Sequence, residues 1–267
     1  MQNQDITAGF QNADDSDTGY LIKFLEDVHN CETVRDSFRQ QLDWLDIQTG
    51  DHVLDIGCGI GDQAYAMTEL AGTTGAVTGT DVSHAMIAMA KARHALSEVN
   101  LDFFSAQADS QPFADAIFDH IRTERVLMYV KDIDAVFTEY VRLLKPGGKL
   151  LVYDVDWDAL VISHADTALT RKIVAFISDK FPSGRIGSNL YHYFNRFGFK
   201  DIKVKAFGYS HPLELVKRII GGIIQTGVDE NVFTADAVND WWAILEQEDN
   251  DGKFFASFQG FMVMGVK

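Results

Sequence analysis

The stretch of sequence that decides the fold reads Val53-Leu54-Asp55-Ile56-Gly57-Cys58-Gly59-Ile60-Gly61-Asp62. Its apolar residues predict a buried strand that breaks into a glycine-rich turn, and a helix is predicted over 62–71. Glycines at every second position let backbone amides approach a ligand closely, where a Cβ atom would collide with it. The helix behind them adds the positive end of its dipole. The stretch therefore predicts a ligand site at the first strand–helix junction.

The spacing of these glycines separates two kinds of ligand. Dinucleotide-binding loops tend to read G-x-G-x-x-G, which suits a pyrophosphate held against the start of the helix. Here the order is G-x-G-x-G with an acid on each flank, Asp55 and Asp62. Because these acids would repel a pyrophosphate but tolerate ammonium and sulfonium groups, the loop favours S-adenosylmethionine (SAM) over NAD.

A second short apolar strand is predicted over 76–80, and it ends at Asp81. An acid at the tip of the second strand of an open α/β sheet is placed to accept hydrogen bonds from ribose hydroxyls. The distance from the glycine loop fits the roughly 20 residues expected of such a unit. The alternative for Asp81 is an ordinary helix cap, since Ser83 and His84 open the next predicted helix.

Five motifs in order resemble those of the class I SAM-dependent methyltransferases. They are VLDIGCGIGD, VTGTDVSHAM, AQADSQPF, FDHIRTERVL and LLKPGGKLLVYD, and the resemblance runs from about Leu42 to Tyr153. Within that class they resemble the small-molecule group that includes the ubiquinone and menaquinone C-methyltransferases. The resemblance implies an α/β fold: a Rossmann-like, seven-stranded, mostly parallel sheet with an antiparallel C-terminal edge and a helical lid. It also implies methyl transfer from SAM to a small-molecule acceptor.

The resemblance implies a set of cofactor-binding residues, carried over position by position. Asp55, Gly57, Cys58 and Gly59 would line the methionine part of SAM, with Asp55 near the ammonium group directly or through water. Asp81 would hold the ribose. The remaining positions are Val82, Met86, Gln107 and Ala108 at the adenine and Thr123 at the sulfonium. The family commonly has Asp where this chain has Gln107, whose carbonyl can still accept from the adenine amino group.

Acidic segments after the fourth and fifth predicted strands are the candidate acceptor site. Glu124 follows the fourth strand, and Asp154 and Asp156 lie two residues apart, so both would project from one face of an extended segment. Transfer from a sulfonium depends mainly on positioning and water exclusion, so we expect these catalytic candidates to orient the acceptor. Carboxylates there would suit an amine and hinder a phenolate.

Other interpretations of the acceptor site remain open in the sequence. The acidic cluster is alternatively a solvated loop in which Asp156 or Asp158 caps the next helix. His164, His192 and His211 are candidate bases for a hydroxyl acceptor. The sequence does not choose among O-, N- and C-methylation. Two alternatives of another class are an NAD(P)-dependent oxidoreductase on the same sheet and a non-catalytic SAM-binding module.

Composition narrows the class of protein further. The formal net charge of −16 argues against nucleic-acid substrates, which need clustered Lys and Arg. No apolar run has membrane-spanning length, and the polar, acidic N-terminus leads us to expect no signal peptide. Two cysteines in 267 residues indicate a reduced, cytoplasmic setting. No Cys or His pair has metal-ligand spacing, so no metal is expected.

The periodicity of apolar residues divides the chain into five segments. They are a mobile tail (1–16), two cap helices (17–48), the SAM-binding core (49–207), a helical lid insertion (208–252) and a last core strand (253–267). Within the core, strands are predicted over 53–57, 76–80, 101–106, 116–122, 149–155 and 202–207, and helices over 62–71, 83–97 and 132–144. Alternation of short strands with amphipathic helices predicts parallel pairing.

Overall fold

One seven-stranded sheet organises the molecule in a computed structural model that describes residues 9–10 and 14–267. The strands are β1 (His52–Ile56), β2 (Ala76–Asp81), β3 (Leu101–Ser105), β4 (Phe118–Glu124), β5 (Leu144–Ile162), β6 (Lys200–Ser210) and β7 (Ala256–Val266). Their order is β3-β2-β1-β4-β5-β7-β6. The first five strands pair in parallel, and β7 is antiparallel to both β5 and β6. The predicted fold, including its antiparallel C-terminal edge, is confirmed.

The helices of the described residues fall into an N-terminal pair, the crossovers of the sheet, and a pair inserted between β6 and β7. They are α1 (Thr18–His29), α2 (Glu32–Leu45), α3 (Asp62–Ala71), α4 (His84–Arg93), α5 (Ile133–Leu143), α6 (Thr167–Lys180), α7 (Ile186–Arg196), α8 (Leu213–Asp229) and α9 (Ala235–Asn250). Crossovers of this kind place helices on both faces of a parallel sheet.

The sheet therefore buries two hydrophobic cores, one on each face. Successive strand residues point to opposite sides, so Leu54 packs in one core and its neighbour Val53 in the other. The first core holds residues from α5 to α9. The second holds residues from α2, α3 and α4. Because both faces are covered, the central strands are apolar almost throughout, which is what the sequence of β1 shows.

Parallel pairing brings three strand ends to the same edge of the sheet. Ile56, the last residue of β1, lies in register with Thr80 of β2 on one side and with Thr123 of β4 on the other. The glycine loop, Asp81 and the residues that follow β4 therefore meet at this edge, where open α/β sheets bind their ligands.

Several element boundaries differ from the prediction. Strand β4 lies at 118–124 instead of 116–122, and α4 ends at Arg93 rather than at 97. Strand β5 covers 144–162 instead of 149–155, because it continues to pair with β7 beyond an irregularity between Asp156 and Val161. Helix α6 was not predicted, although Asp166 caps it by accepting hydrogen bonds from the amides of residues 168 and 169.

The N-terminal region covers the edge where the strand ends meet. The predicted mobile tail, 1–16, lies largely outside the described residues. Within the described part, Asp14 accepts hydrogen bonds from the Ser83 hydroxyl and from the backbone amides of His84 and Ala85. Helices α1 and α2 fall within the predicted cap and α8 and α9 within the predicted lid. The domain boundaries themselves stay a prediction.

Candidate active site

A cavity of about 760 Å³ lies where β1, β2 and β4 end. The glycine loop (57–59) and Asp81 form one part of its lining, and the rings of Phe10 and Phe24 form another. Residues after β4 and along the far half of β5 line the other end. The cavity is within the range of small-molecule sites, about 300–1,000 Å³.

The glycine loop packs so tightly that side chains are excluded from part of it. Gly57 has a φ of +79°, and a Cβ atom there would lie 2.0 Å from Cγ2 of Val126. The amides of Gly57 and Cys58 both donate to the carbonyl of Thr80, at 2.7 and 2.9 Å. At Gly59 a Cβ atom would meet, among the residues that the structure describes, only Leu25 of α1, at 3.5 Å, so this part of the loop opens toward the cavity.

Asp81 is held with its carboxylate at the cavity wall. Its Oδ2 accepts from the amide of Gly59 at 3.0 Å, and its Oδ1 accepts from the amide of Ser83 at 2.9 Å. The amides at the start of α4 have other partners, because Ser83 accepts from Met86 and Asp14 accepts from residues 84 and 85. Asp81 therefore does not cap α4, and each carboxylate oxygen keeps a lone pair for a ligand.

The predicted adenine residues line the same end of the cavity. Val82 is 60 % exposed, Met86 is 2 % exposed, and Gln107 and Ala108 lie beside them. The backbone carbonyl of Gln107 accepts from the side chain of Gln111 at 2.8 Å, which fixes this loop. The structure thus brings eight of the ten predicted cofactor residues to one cavity: Gly57, Cys58, Gly59, Asp81, Val82, Met86, Gln107 and Ala108.

Two predicted cofactor residues, Asp55 and Thr123, do not line the cavity. Asp55 is 1 % exposed, and its Oδ1 accepts from Arg122 at 2.7 Å, while Oδ2 has no partner among the described residues. Asp55 is therefore not placed for the expected direct contact with the ammonium group of SAM. Its contact with that group through a water molecule stays a prediction. The hydroxyl of Thr123 lies 2.8 Å from that of Tyr140 in α5, and both residues are fully buried. The expected position of Thr123 at the sulfonium is wrong.

A buried network of charged and amide side chains lies beneath the loop. Arg122 pairs with both Asp55 and Glu124, and Gln41 of α2 accepts from Arg122 and donates to Glu124. Oε1 of Glu124 lies 3.2 Å from Arg125. Burial alone would raise the pKa of Glu124, but Arg125 and Arg122 outweigh it and lower this pKa to about 2. Glu124 lines the cavity as predicted, yet as an ionised, paired carboxylate.

Asp154 and Asp156 point away from the cavity, which corrects their prediction as acceptor-orienting groups. Asp154 is fully buried and accepts from the amides of Leu127 and Val155, at 2.8 and 3.0 Å. Asp156 accepts from the amide of Ser188 at 2.8 Å and so caps α7. Alternation along β5 explains the error, because the cavity is lined by the odd-numbered neighbours of these two acids.

The anchoring of residues 126–128 by Asp154 predicts a pH dependence of stability. Burial raises the pKa of Asp154 from 3.8 to about 7, against the opposing effect of backbone hydrogen bonds. The folded state therefore binds an extra proton between these values, so the stability that this proton contributes is lost as the pH rises through about 7. Asparagine does not bind this proton, so its variant does not lose this stability. We expect the free energy of unfolding of Asp154→Asn, relative to that of the wild type, to be higher at pH 8 than at pH 5 by on the order of a few kcal/mol.

Chemical denaturation of both proteins at several pH values measures this difference. The exposed Asp158 on the same strand offers the control substitution Asp158→Asn. A difference between Asp154→Asn and the wild type that stays constant from pH 5 to pH 8 contradicts the prediction.

The other end of the cavity is lined by a continuous chain of rings that the sequence did not predict. Consecutive ring centroids are 4.5 to 6.4 Å apart in the order Phe10, Tyr129, Phe181, Trp157, Phe258, His211, Tyr209, Tyr153. We call these eight side chains the aromatic wall. The signal for part of it was the alternation of Tyr153, Val155 and Trp157 along β5. The others come from separate segments, so no local pattern joins them.

The three candidate histidine bases have different positions. His211 belongs to the aromatic wall, whereas His164 packs on Trp241 with ring centroids 5.2 Å apart, and His192 is exposed on α7. A fourth, His29 of α1, lines the cavity and was not predicted. Burial and the nearby Arg125 lower the pKa of His29 to about 4, so its imidazole is neutral at neutral pH. Its Nδ1 has no hydrogen-bond partner among the described residues.

Neither a metal-binding cluster of side chains nor a membrane-spanning helix is found in residues 9–10 and 14–267. No group of three or more His, Cys, Asp and Glu side chains there is arranged to hold a metal ion. In the same part of the chain, no helix combines the length and the apolar character that a membrane-spanning segment needs.

The sheet order, the glycine loop after β1 and the acid at the end of β2 meet at one cavity. Together they define a class I SAM-dependent methyltransferase fold. Comparison with known proteins agrees, because residues 54–152 match the model of a family described as "Methyltransferase domain". The match covers residues 54–152 of the 267 residues of this chain.

Individual relatives share this region. An uncharacterised 37.1 kDa protein in transposon TN4556 of Streptomyces fradiae is 31% identical over 63% of this chain and 49% of its own length. The 2-phytyl-1,4-naphtoquinone methyltransferase of Synechococcus elongatus is 34% identical over 44% of this chain and 51% of its own length. The chain thus spans about half the length of these curated relatives.

Solved structures extend the similarity of the fold. The YcgJ protein of Bacillus subtilis superposes with a TM-score of 0.62 at 19% identity, over 87% of this chain and 98% of that one. Phosphoethanolamine N-methyltransferase 2 of Haemonchus contortus, solved with SAM, has a TM-score of 0.55 at 22% identity over 87% of this chain and 52% of its own. At these identities the similarity shows the fold alone.

Proposed function

We propose that this protein transfers a methyl group from SAM to a small-molecule acceptor. The observation that carries the proposal is the continuity of one cavity, from Asp81 and the glycine loop to the aromatic wall. A bound cosubstrate and an acceptor would lie end to end in such a space. The family match of residues 54–152 supports the same activity.

The residues at the first end of the cavity fit SAM part by part. Asp81 would accept hydrogen bonds from the two ribose hydroxyls, because its oxygens are oriented by the amides of Gly59 and Ser83. The bare backbone of the glycine loop would lie against the methionine part. Val82 and Met86 would pack on the adenine, and Gln107 and Ala108 would meet its edge. When bound, SAM supplies an electrophilic methyl group on a positively charged sulfur.

The protein's own contribution is to position the reactants and exclude water. Helix α1 covers the cavity with Phe24, Leu25 and Val28, and Phe10 lies beside them. Ion pairs hold this helix in place, since Arg93 of α4 contacts Glu26 at 2.9 Å and Arg218 of α8 contacts Asp27 at 3.0 Å. Excluding water from the transfer site helps to keep SAM and the acceptor in a reactive orientation, and it prevents water from taking the methyl group instead of the acceptor.

The setting that we propose is cytoplasmic, with no nucleic-acid partner. Both cysteines, Cys31 and Cys58, are free thiols. The net charge of −16 opposes binding to a phosphate backbone.

Two measurements test the proposed function. In a thermal-shift comparison, S-adenosylhomocysteine (SAH) is expected to raise the melting temperature, while NAD and NADP leave it unchanged. A larger shift with NAD or NADP contradicts the proposal in favour of an oxidoreductase. Incubation with methyl-labelled SAM and cell extract is then expected to give a labelled small molecule by mass spectrometry. SAH binding without any labelled product would favour a non-catalytic module.

A further inference from the structure

One buried guanidinium beneath the glycine loop contacts four separate segments of the chain. Arg122 of β4 is 1% exposed, and its Nε donates to Oε1 of Gln41 in α2 at 2.7 Å. Its Nη1 donates to Oδ1 of Asp55 at 2.7 Å. Its Nη2 donates to Oε1 of Gln63 at 2.6 Å and also to Oε2 of Glu124. Since a guanidinium has five N–H donors, Arg122 is used almost completely by the protein itself.

Two of these acceptors stand at the two ends of the glycine loop. Asp55 lies two residues before Gly57, on β1. Gln63 lies two residues after Gly61, in the first turn of α3. The chain leaves the strand and enters the helix at these points. Arg122 therefore connects the start of the loop to its end.

The other two acceptors extend these contacts to the surroundings of the loop. Glu124 stands two residues before Val126, whose side chain would lie 2.0 Å from a Cβ atom on Gly57. Gln41 belongs to α2, and the ring of Phe38 in the same helix has its centroid 5.2 Å from Cζ of Arg122. One side chain thus holds both ends of the loop, the segment that packs on it, and a helix of the N-terminal pair.

Contacts with β2 fix the first part of the loop, and Arg122 adds a contact on the side of α3. The amides of Gly57 and Cys58 donate to the carbonyl of Thr80, and the amide of Gly59 donates to Asp81. The later amide of Gly61 donates to the carbonyl of Cys58, within the loop itself, at 3.0 Å. The hydrogen bond from Arg122 to Gln63 joins this later part to β4.

Stability alone does not account for a charged cluster at this position. Buried ion pairs often stabilise a protein less than well-packed apolar side chains of similar volume, because the charges lose their hydration. Arg122 also faces two carboxylates, those of Asp55 and Glu124, so the cluster carries excess negative charge. A guanidinium does what an apolar side chain cannot, because its planar donors fix the positions of several acceptors at once.

We propose that Arg122 is a positioning residue of the cosubstrate site, which holds the glycine loop in the shape that accepts the amino-acid part of SAM. The inference rests on the proposed function and adds a determinant of SAM affinity outside the cavity. Arg122 is absent from the described lining of the cavity, so it acts through its acceptors Asp55, Gln63 and Glu124. Binding sites depend on such support, because shifts on the order of 0.5 Å weaken contacts with a ligand.

Calorimetric titration with two ligands tests the proposal without turnover. SAH carries the amino-acid part, whereas 5′-methylthioadenosine shares the adenine, the ribose and the sulfur but lacks that part. We expect Arg122→Lys to weaken SAH about tenfold and 5′-methylthioadenosine less than about twofold. A lysine keeps the charge, but its ammonium cannot hold four acceptors in a plane. A loss of folded protein would affect both ligands equally, so the ratio of their affinities separates positioning from stability.

Gln63 offers a second test that leaves the buried charges in place. Gln63→Ala removes only the contact on the side of α3, and we expect SAH to weaken several-fold while 5′-methylthioadenosine is unchanged. Gln63→Glu restores an acceptor oxygen for Arg122 and is expected to recover most of the SAH affinity. If Gln63 instead donated directly to the SAH carboxylate, Gln63→Glu would bind SAH at least as weakly as Gln63→Ala. Arg196→Lys and Gln225→Ala, at exposed positions of α7 and α8, are the matched controls.

The outcomes separate this inference from the proposed function. Unchanged SAH affinity in Arg122→Lys overturns the inference, as does an equal loss for both ligands. If Arg122→Lys does not fold, the Gln63 variants decide, and failure of Gln63→Glu to recover SAH binding overturns it. A wild type that binds both ligands equally well overturns the inference alone, because the loop then does not bind the amino-acid part. A wild type that binds neither ligand overturns the proposed function as well.

Discussion

Asp81→Ala is expected to weaken SAH binding at least tenfold while the protein remains folded. The carboxylate accepts one backbone amide on each oxygen, from Gly59 and Ser83, and presents its remaining lone pairs to the cavity. Hydrogen bonds between a charged group and a ligand hydroxyl contribute roughly 1.5–3 kcal/mol each. Since each 1.4 kcal/mol or so is a factor of ten in affinity, a tenfold loss is the lower bound for a ribose pair.

Calorimetric titration with SAH measures this effect, and circular dichroism with a melting curve checks the fold. Asp81→Asn keeps a side chain of the same shape, and we expect an intermediate affinity because one acceptor oxygen and the charge are lost. The exposed Asp102 of β3 provides a control, Asp102→Ala, with unchanged affinity expected. Unchanged affinity in Asp81→Ala would rule out the ribose role.

Gly57→Ala is expected to cause the largest loss of stability among single-methyl additions to the glycine loop. An alanine there must adopt a φ of +79° and place its Cβ atom 2.0 Å from Val126. The left-handed conformation costs roughly 1–2 kcal/mol. Overpacking adds about 1–3 kcal/mol, because the loop and the segment after β4 must separate. We therefore expect SAH binding to fall below detection as well.

Gly147→Ala is a closely matched control for this prediction. Gly147 has almost the same φ, +81°, but a Cβ atom there would have no neighbour within 4 Å among the described residues. Both variants carry the conformational cost, and only Gly57→Ala carries the steric one. At roughly 2–4 °C per kcal/mol, a steric cost of about 1–3 kcal/mol places the melting temperature of Gly57→Ala roughly 2–12 °C below that of Gly147→Ala. Equal melting temperatures would contradict the packing argument.

That the residues at the glycine-loop end of the cavity lie together could be predicted, because they belong to short local motifs. The glycine loop and Asp81 each combine a strand end with a turn, and the pairing of β1 with β2 brings them together. Sequence spacing is enough to place such residues. The position of Gln107 was also predicted from spacing. It lines the cavity even though the resembled family commonly has Asp at this position.

Asp55 shows a limit of prediction from a sequence motif. Its partner Arg122 is its register neighbour on β4, 67 residues away along the chain. Which strand lies beside β1 follows from the topology of the whole sheet. A sequence motif therefore identified an important carboxylate, but it did not show that another side chain of the protein had already engaged it.

The acceptor end was predicted poorly because a strand offers two faces. Thr123 and Glu124 are adjacent, yet only Glu124 lines the cavity. On β5 the acids Asp154 and Asp156 looked chemically active, whereas their neighbours Tyr153 and Trp157 line the cavity and form part of the aromatic wall. The buried acids are structural, since they bind backbone amides of residues 127 and 188. Phe10 and Phe258 join the same wall from opposite ends of the chain, which no local pattern reveals.

A crystal structure of the protein with SAH tests the central claim most directly. We predict the ribose hydroxyls on the carboxylate of Asp81, the amino-acid part over the glycine loop, and the sulfur directed toward Arg125 and the aromatic wall. A cavity that excludes SAH but holds a nicotinamide dinucleotide would contradict the account.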